Sequence, residues 1–377
     1  MKVGFLSVER TTVDVREAKI AMFDSGHTAD AFLTVGAEEI DRAVTYLRTF
    51  CDAIVIDGNT AAFYDTYKDT LSSRPEHFEL DGKLHSVVRE VTPEFLTERF
   101  LPLVNKKTKK RYATIVFKTY RKSESELRIL LKDYLTKKSK VQIGFFPDFM
   151  ECEVHARCLT SMAQEDMTAV SQKLDKILGG FTYAYERISL EECVSQMLRE
   201  EGLKLKIAES FTGGAIGAAL TKLPGASEFL MEDVVTYSVA SKNKRLGVPL
   251  EVIAEKGAVS GDTAYNMAYG LMSSGDCDIA IATTGNAGPS SQNGTVGLCY
   301  IALGLTWQKR VGVFKYLFDG DRECNIASGV KNALLLVYSG ILDCKKQARL
   351  QAQQQPPQQP AVNPTAVPAT PDNFDNF

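Results

Sequence analysis

Residues 203–223 read LKLKIAESFTGGAIGAALTKL, and this stretch decides the fold of the C-terminal part of the chain. It begins as an apolar strand, turns at residues 209–214 and continues as a helix of small residues. The turn glycines let a ligand approach the backbone closely. The hydroxyl of Ser210 stands where the strand ends, beside the first N–H groups of the helix, which have no partner within the helix. The pattern predicts a strand–turn–helix unit with a candidate ligand site at the sheet edge.

The segments around this stretch continue the alternation of strand and helix. Residues 190–202 predict a helix ending at Gly202, residues 278–285 predict a buried strand, and residues 326–338 predict a further helix. The segments GLCYIAL and VGVFKYLF predict two more strands. We therefore expect residues 189–345 to form a three-layer α/β/α sandwich whose sheet is covered on both faces.

Two further folded units and a tail are predicted outside this region. Residues 1–104 predict a doubly wound α/β domain, but the loops after its strands lack the glycines of a phosphate-binding loop. Residues 105–188 predict a small α+β unit of K-homology (KH) size with the order βαββα. This unit lacks the GxxG clamp of RNA-binding KH domains. Residues 346–377 are rich in Gln and Pro and predict a disordered tail.

Length and composition place the chain among ordinary globular proteins. It has 377 residues, of which 44% are hydrophobic and 24% charged. These values fit two or three domains and exclude a fibrous or wholly disordered chain. We found no apolar run close to the roughly 20 residues of a membrane span, and charge comes too early for a signal peptide, so we expect a cytoplasmic protein that does not contact a membrane. Eight cysteines without a CxxC pair predict reduced, packed thiols and no metal site.

The net charge of −3 hides a basic segment in the middle of the chain. Residues 105–140 contain 13 Lys and Arg against 3 Asp and Glu. Such a segment can neutralise phosphate groups, which makes nucleic acid a candidate partner. Lysine-rich segments are more often solvated faces, and this is the interpretation that we prefer.

A serine nucleophile needs a general base, and the positions of the histidines limit the choice. All four histidines lie at or before residue 155, outside the predicted C-terminal domain. His155 falls on the polar face of an alternating strand, and we interpret it as a surface residue. A lysine can act instead if burial lowers its pKa enough to leave it partly neutral near pH 7. Lys242 and Lys244 follow an apolar strand, although two solvated helix lysines are the commoner interpretation of such a segment.

Two more segments favour an anionic small molecule as the ligand. Residues 284–289, TGNAGP, follow a buried strand, where α/β sheets bind ligands. Arg322 opens the last helix, where a guanidinium can hold a phosphate beside the helix N-terminus. Each feature is weak alone, because Gly-Pro loops and surface Asp-Arg pairs are common and Ser210 or Thr212 can be a simple helix cap. Their convergence with Ser210 supports a site for an anionic small molecule.

These motifs occur in the same order in one known family. The matching segments are 208–214 (AESFTGG), 224–227 (PGAS), 235–238 (VTYS), Lys242, 246–248 (LGV), 257–260 (GAVS), 284–285, 287–289 (AGP), 296–297 and 320–322 (GDR). Together they resemble the competence-damage-inducible CinA family, specifically its C-terminal nicotinamide mononucleotide amidase domain, over about residues 191–342.

The rest of the chain resembles the family less strongly. Residues 105–188 resemble its linker domain, and residues 1–104 occupy the place of its molybdopterin-binding-like N-terminal domain. That domain is degenerate here, because residues 7–10 and 57–60 replace its Gly-Asp-Glu and Thr-Gly-Gly-Leu-Gly-Pro motifs. The resemblance therefore does not carry the family's pyrophosphatase activity over to this chain.

The resemblance implies an activity and a set of site residues. The family's amidase hydrolyses the carboxamide of nicotinamide mononucleotide to nicotinate mononucleotide and ammonia, in pyridine nucleotide salvage, without a metal or cofactor. By resemblance Ser210 is the nucleophile, Lys242 is its general base, and Thr212 assists proton transfer. The substrate-binding residues that the resemblance implies are Gly213, Gly214, Tyr237, Thr284, Gly285, Ala287, Gly288 and Arg322. The implied partners are the mononucleotide and a second copy of the chain in a homodimer.

Several positions depart from the family pattern. Phe211 replaces the usual Cys, and we expect it to point away from the nucleophile and to change packing only. Asn286 replaces a common Ile, and the loop 290–294 is shortened. Ile326 replaces a second Arg of the last helix, which would weaken phosphate binding by roughly 1.5 to 3 kcal/mol. Two alternatives to the amidase follow: an eroded relative that binds or senses nucleotides, and a nucleic-acid partner linked to competence or DNA stress.

Overall fold

The computed structural model describes residues 1–136, 139–290 and 295–354. It shows a mixed α/β protein, as the sequence predicts, with three sheets. The chain divides into two compact units, and the boundary falls inside a helix, between Cys193 and Val194. The first unit holds two of the sheets, and the second unit holds the sheet that contains the stretch quoted above.

The first sheet is mainly parallel. Its strands are β1 (Lys2–Val8), β2 (Thr28–Val35), β3 (Ala53–Gly58), β4 (His77–Leu80) and β5 (Lys83–Val87), in the order β2-β1-β3-β5-β4. Its helices are α1 (Val15–Asp24), α2 (Ile40–Arg48), α3 (Thr60–Thr66) and α4 (Leu101–Lys106). Only the β4–β5 pair of this sheet is antiparallel. The strand order reverses at β1, as it does in a doubly wound sheet.

The crevice where such a sheet usually binds a ligand lies beside the carboxyl ends of β1 and β3. Here it holds Asp57, which is fully buried. The Asp57 carboxylate accepts hydrogen bonds from the Ser7 hydroxyl at 2.7 Å and from the Thr12 N–H at 2.8 Å. The Asp57 carboxylate takes its hydrogen bonds from the protein itself, and a carboxylate has no donor to offer a phosphate. This agrees with the lack of glycine-rich motifs in this region.

The second sheet is antiparallel and small. Its strands are β6 (Tyr112–Tyr120), β7 (Gln142–Asp148), β8 (Glu151–Leu159) and β9 (Thr182–Ala184), in the order β7-β8-β6-β9. Helices α5 (Glu124–Leu130) and α6 (Gln164–Leu178) supply apolar side chains to the core on one face. α5 begins with a capping box formed by Ser123 and Glu126, as the sequence indicates. The order βαββα is present, and β9 follows it.

The polar face of β8 does not lie in solvent, and the prediction for His155 is wrong. His155 is fully buried, with Nδ1 2.7 Å from Asp24 Oδ1 and Nε2 2.8 Å from Glu153 Oε1. Helix α1 packs against β6 and β7 and covers this face. The alternation of residues identifies the two faces of the strand, but it cannot show that another sheet's helix packs on the polar one.

Glu153 is the centre of a buried ionic cluster in the first unit. Its carboxylate accepts hydrogen bonds from Arg16 at 2.8 Å and from Arg187 at 2.6 Å, and Lys118 lies 3.4 Å away. Burial opposes ionisation, but the hydrogen bonds from His155 and Arg187 and the charge of Lys118 outweigh it and hold the pKa of Glu153 well below its usual range. The charge of Lys118, which belongs to the basic segment, is thus balanced by Glu153 inside the protein.

The third sheet lies in the second unit and mixes parallel and antiparallel strands. Its strands are β10 (Leu205–Glu209), β11 (Leu230–Val235), β12 (Ile279–Gly285), β13 (Leu298–Leu305) and β14 (Arg310–Leu317), in the order β11-β10-β12-β13-β14. The helices of this part are α7 (Leu190–Glu200), α8 (Ala215–Thr221), α9 (Val239–Leu246), α10 (Leu250–Lys256), α11 (Gly261–Ser273) and α12 (Arg322–Gln354). α11 packs on one face of the sheet, and α12, which contacts α8, packs on the other. The result is a three-layer arrangement.

Helix α12 is longer than the sequence predicts. It continues to Gln354, so the predicted disorder is wrong for residues 346–354, which are rich in helix-forming Lys, Gln, Ala and Arg. Residues 355–377 lie outside the described residues. Residues 322–350 of this helix are long and apolar enough to cross a membrane, with a mean hydropathy of 1.2 over an 18-residue window, but 72% of that window is buried inside the protein. Its apolar residues therefore serve as a core-facing surface.

Candidate active site

Ser210 and Lys242 meet at the carboxyl edge of the third sheet. Ser210 directly follows β10, and Lys242 lies on α9, which begins shortly after β11. The Lys242 Nζ donates hydrogen bonds to Ser210 Oγ at 2.9 Å and to the Thr236 carbonyl at 2.6 Å. Because β10 and β11 are parallel neighbours, the segments after their carboxyl ends lie side by side. The fold thus joins two residues that are 32 positions apart in the sequence.

Burial distinguishes Lys242 from Lys244. Lys242 is only 1% exposed, whereas Lys244 on the same helix lies in solvent. The interpretation as a solvated helix lysine is therefore right for Lys244 and wrong for Lys242. Burial lowers the pKa of Lys242 from 10.5 to about 8. At pH 7 about a tenth of such a lysine is neutral and able to accept a proton from Ser210.

Thr212 lies near Ser210 but is linked to it through a residue that the sequence analysis missed. The Thr212 hydroxyl is buried and lies 2.8 Å from the Thr283 hydroxyl. Thr283 in turn accepts a hydrogen bond from the Ser210 N–H at 3.5 Å. Within the described residues, the Thr212 and Ser210 side chains form no direct hydrogen bond. The position of Thr283, just before Thr284 at the end of a buried strand, was the signal that could have identified it.

The first N–H groups of α8 are largely occupied, which corrects the prediction for Gly214. Glu209 is fully buried, and its carboxylate accepts hydrogen bonds from the N–H groups of Gly214 at 2.8 Å, Ile216 at 2.9 Å and Gly217 at 2.9 Å. A carboxylate at the N-terminal end of a helix is favoured by the helix dipole. The Gly214 N–H is therefore not free for a substrate.

The N–H groups of Thr212 and Gly213 remain as candidate oxyanion donors. In the parts of the chain that the structure describes, neither group donates a hydrogen bond. Gly213 has φ of 64°, a left-handed conformation that favours glycine and sets the turn after Ser210. Two backbone N–H groups beside a nucleophile are a common arrangement for stabilising a tetrahedral oxyanion.

Asp233 adds a second carboxyl group behind Glu209. It lies on β11 against Gly217, where an added Cβ would be 1.9 Å from its Oδ2. Burial, and next the charge of Glu209, raise the pKa of Asp233 well above its usual range. The raised pKa of Asp233 favours its protonated form, which relieves the repulsion between the two neighbouring carboxyl groups.

A pocket of about 180 Å³ opens beside the Ser–Lys pair. Its lining residues are Ser210, Phe211, Tyr237, Lys242, Ala258, Val259, Thr284, Gly285, Asn286, Ala287 and Arg322. Seven of these are residues that the sequence predicts for the site. Thr212, Gly213, Gly214 and Gly288, which are also predicted for the site, are not among the lining residues. Phe211 is one of the lining residues, but it is only 4% exposed and its ring packs against the ring of Phe318, with the centroids 6.0 Å apart.

Arg322, which the sequence predicts to bind phosphate, lies at the border of this pocket. Its Nη1 donates to the Gly288 carbonyl at 2.6 Å, and its Nη2 lies 3.4 Å from the hydroxyl of Tyr237. Both Arg322 and Tyr237 are exposed, so their polar ends can meet a ligand in solvent. Gly288 therefore contributes by holding the arginine.

Asn325 is a positioning residue that the sequence analysis missed. It is fully buried and donates hydrogen bonds to the carbonyls of Ala287 at 3.1 Å and Gly320 at 2.8 Å. These bonds fasten the loop after β12 to the start of α12. Thr284 plays a similar part, because its hydroxyl donates to the Ala258 carbonyl at 2.7 Å. Two predicted binding segments are thus held in place by the fold's own hydrogen bonds.

Within the described residues, no cluster of three or more His, Cys, Asp or Glu side chains is arranged to hold a metal ion. The sequence analysis describes the loop 290–294 as shortened relative to the family. Residues 291–294 of this loop lie outside the described residues. The site as described consists of a hydroxyl, a buried amine, two free backbone N–H groups and an exposed guanidinium.

Comparison with known proteins identifies the family. Residues 187–341 match the family model for the CinA C-terminal domain. A relative from Caldicellulosiruptor bescii, named a competence-damage inducible protein, is 35% identical over 276 residues, which cover 70% of this chain and 66% of the relative. A CinA-like protein of Geotalea uraniireducens is 34% identical over 60% of this chain and 56% of its own length. The chain thus spans less than two thirds of the length of these two relatives.

A longer match extends over nearly the whole of another relative. A CinA-like protein of Geobacter sp. (strain M21) is 34% identical over 391 residues, which cover 86% of this chain and 93% of that protein. The crystal structures of a CinA superfamily protein from Klebsiella pneumoniae and of a competence/damage inducible protein from Agrobacterium tumefaciens are 31% and 32% identical to this chain. Each covers 41% of this chain and 96% of its own, with TM-scores of 0.39 and 0.38. By the extent of its match to the Geobacter protein, this chain belongs to the CinA family.

Proposed function

We propose that the protein is a nicotinamide mononucleotide amidase, which hydrolyses the carboxamide to nicotinate mononucleotide and ammonia in cytoplasmic pyridine nucleotide salvage. The observation that carries the proposal is the hydrogen bond of 2.9 Å between Lys242 Nζ and Ser210 Oγ, made by a lysine that is 1% exposed. Membership of the CinA family supports the substrate, and the pocket beside this pair supports a small ligand.

The geometry supports a two-step acyl transfer. In the first step neutral Lys242 accepts the Ser210 proton while Oγ attacks the carboxamide carbon. The N–H groups of Thr212 and Gly213 stabilise the oxyanion that forms. The Lys242 ammonium then donates its proton to the departing nitrogen, so that ammonia leaves and an ester on Ser210 remains. In the second step Lys242 takes a proton from a water that attacks the ester carbon. As the ester bond breaks, the Lys242 ammonium returns this proton to Ser210 Oγ, which releases nicotinate mononucleotide and restores the serine and the neutral lysine.

The test of the proposal is ammonia release by the purified protein. We expect ammonia and nicotinate mononucleotide in equal amounts from nicotinamide mononucleotide, measured by a coupled ammonia assay and by chromatography. Nicotinamide riboside and the dinucleotide serve as comparison substrates. If the folded protein binds the mononucleotide in calorimetry but releases no ammonia at high enzyme concentration, the amidase proposal is wrong and an eroded nucleotide-binding relative takes its place.

The pKa of Lys242 predicts the pH dependence of the reaction. Below pH 8 the lysine is mostly protonated and cannot act as a base, so kcat/KM should fall about tenfold per pH unit as the pH decreases from 7 to 6. Above the pKa of about 8 the rate should level off. Circular dichroism at each pH separates this effect from unfolding. A flat kcat/KM profile from pH 6 to 9 would contradict the role of Lys242 as the base.

Arg322 is predicted to bind the substrate phosphate. A charge-assisted hydrogen bond to phosphate contributes about 1.5 to 3 kcal/mol, so Arg322→Ala should raise KM for nicotinamide mononucleotide roughly 10- to 100-fold with little change in kcat. The riboside, which has no phosphate, should be affected less than threefold. Arg310→Ala on exposed β14 is the matched control and should change neither constant. Equal losses on the mononucleotide and the riboside would show that Arg322 acts on the loop rather than on phosphate.

A further inference from the structure

Glu209 is the last residue of β10 and directly precedes the proposed nucleophile Ser210. Its side chain is fully buried, and its Oε2 accepts the Gly214 N–H at 2.8 Å. Its other oxygen, Oε1, accepts two further N–H groups of α8, each at 2.9 Å. The bond to Gly214 closes a ring over residues 209–214. This ring contains the nucleophile and both candidate oxyanion donors.

The turn inside this ring has little stiffness of its own. Gly213 and Gly214 have φ of 64° and 100°, and glycine changes backbone conformation more readily than other residues. Thr283 holds the start of the turn from the opposite side. The Glu209 carboxylate ties the glycine half of the turn to the end of β10. The side chain thus restrains the part of the turn that is most free to move.

The backbone of Glu209 supports the general base. Its carbonyl accepts the Thr236 N–H at 2.8 Å, and the Thr236 carbonyl accepts a hydrogen bond from Lys242 Nζ at 2.6 Å. Lys242 also donates to Ser210 Oγ at 2.9 Å. The nucleophile, its base and the oxyanion donors are therefore all tied to one residue. A side-chain substitution changes the contact with the turn and keeps the backbone link to the base.

We propose that Glu209 is a positioning residue, whose carboxylate holds the two oxyanion N–H groups in the position that attack by Ser210 requires. The inference rests on the proposed amidase function, because it assigns the oxyanion to these N–H groups. A displacement of about 1 Å at a reacting group can cost about 100-fold in rate, so a loosened turn lowers kcat. Arg322, the predicted phosphate contact, lies outside the ring, so substrate binding is largely kept.

The test variant is Glu209→Gln, which keeps the shape of the side chain and replaces one acceptor oxygen by an NH2 group. In either orientation this group faces an N–H donor, so at least one of the three hydrogen bonds is lost. We expect kcat for nicotinamide mononucleotide to fall about 10- to 100-fold, with KM within threefold of wild type. The pH profile should still follow the Lys242 pKa of about 8, because the base keeps its contacts.

The matched control is Glu232→Gln on β11, which makes the same substitution at an exposed position. It should keep kcat within twofold of wild type. Glu209→Asp keeps the negative charge on a shorter side chain, and we expect it to retain more of kcat than Glu209→Gln. This second variant remains informative if Glu209→Gln does not fold. The melting temperature of each variant separates a change in the turn from general unfolding.

Two further measurements do not depend on the substrate. The first is labelling of Ser210 by a fluorophosphonate, detected by mass spectrometry, in which Oγ displaces fluoride and the phosphoryl oxygen takes the place of the oxyanion. Its rate should fall with kcat in Glu209→Gln. The second is hydrogen exchange of a peptide that covers residues 210–217. Exchange should be at least tenfold faster in this variant, because N–H groups bonded in the wild type are released.

A folded Glu209→Gln that keeps kcat within threefold of wild type would overturn the inference, and so would a loss confined to KM. If the wild type releases no ammonia, the amidase proposal fails, and the rate of labelling then replaces kcat in the comparison. If the wild type also resists labelling, unchanged hydrogen exchange in Glu209→Gln overturns the positioning role.

Discussion

Replacing Ser210 by Ala or Lys242 by Met is expected to abolish ammonia release from nicotinamide mononucleotide. Each change removes one of the two groups that the 2.9 Å hydrogen bond joins, the nucleophile or its base. Removal of one member of a catalytic unit typically costs several orders of magnitude, so we expect kcat to fall at least about 1,000-fold. The measurement is ammonia release at saturating substrate, with enzyme concentrations high enough to detect the residual rate.

The double variant sharpens this prediction. If Ser210 and Lys242 act as a unit, the double variant should be no slower than the slower single variant, since the second change has nothing left to remove. The melting temperature of Lys242→Met should be at most a few degrees below that of the wild type, because an apolar side chain of similar length replaces a buried amine. Lys244→Met on the exposed side of α9 is the matched control and should keep full activity. Activity within tenfold of wild type in either single variant would exclude the Ser–Lys mechanism.

Glu153→Ala is expected to destabilise the first unit strongly. The Glu153 carboxylate is 1% exposed and is the shared partner of Arg16, Arg187 and His155. Its removal takes away the buried carboxylate that these groups share, and breaking a buried ionic interaction in this way typically costs about 3 to 5 kcal/mol. Urea unfolding followed by circular dichroism measures the loss. Glu165→Ala on the exposed side of α6 is the control and should change the free energy of unfolding by less than about 0.5 kcal/mol.

The pH dependence of this destabilisation has a definite sign. The pKa of Glu153 is lowered in the folded protein relative to 4.5. Its stabilising contribution is therefore present above pH 4.5 and is lost as the pH falls through the lowered pKa. The difference between wild type and Glu153→Ala should shrink in acid. A difference that stays below 1 kcal/mol at pH 7 would show that Glu153 is not the centre of the cluster.

Local patterns in the sequence predicted the elements and the candidate pair. The apolar run before Ser210 and the glycines after it predict a strand that turns into a helix, because the period of apolar residues and the conformational freedom of glycine are local properties. The lack of histidine after residue 155 directs attention to lysine as the base. Ser123 with Glu126 predicts a capping box for the same local reason.

Only the tertiary structure decided which side chains are buried and which residues surround them. Lys242 and Lys244 are equivalent candidates in the sequence, and the packing of α9 buries one and exposes the other. The sequence pattern places His155 on the surface, but in the structure helix α1 covers the polar face of its strand and buries it. The same holds for Phe211, whose partners Gly285 and Gly329 lie far away in the chain.

The amides of α8 show the same division between local pattern and tertiary contact. The sequence determined that N–H groups without partners would follow Ser210, because every helix begins with them. Only the folded chain shows that Glu209 takes three of them and leaves Thr212 and Gly213 open. The backbone pattern of this protein is thus encoded locally, whereas the burial, pKa and availability of its reactive groups depend on residues that the fold brings together from distant positions.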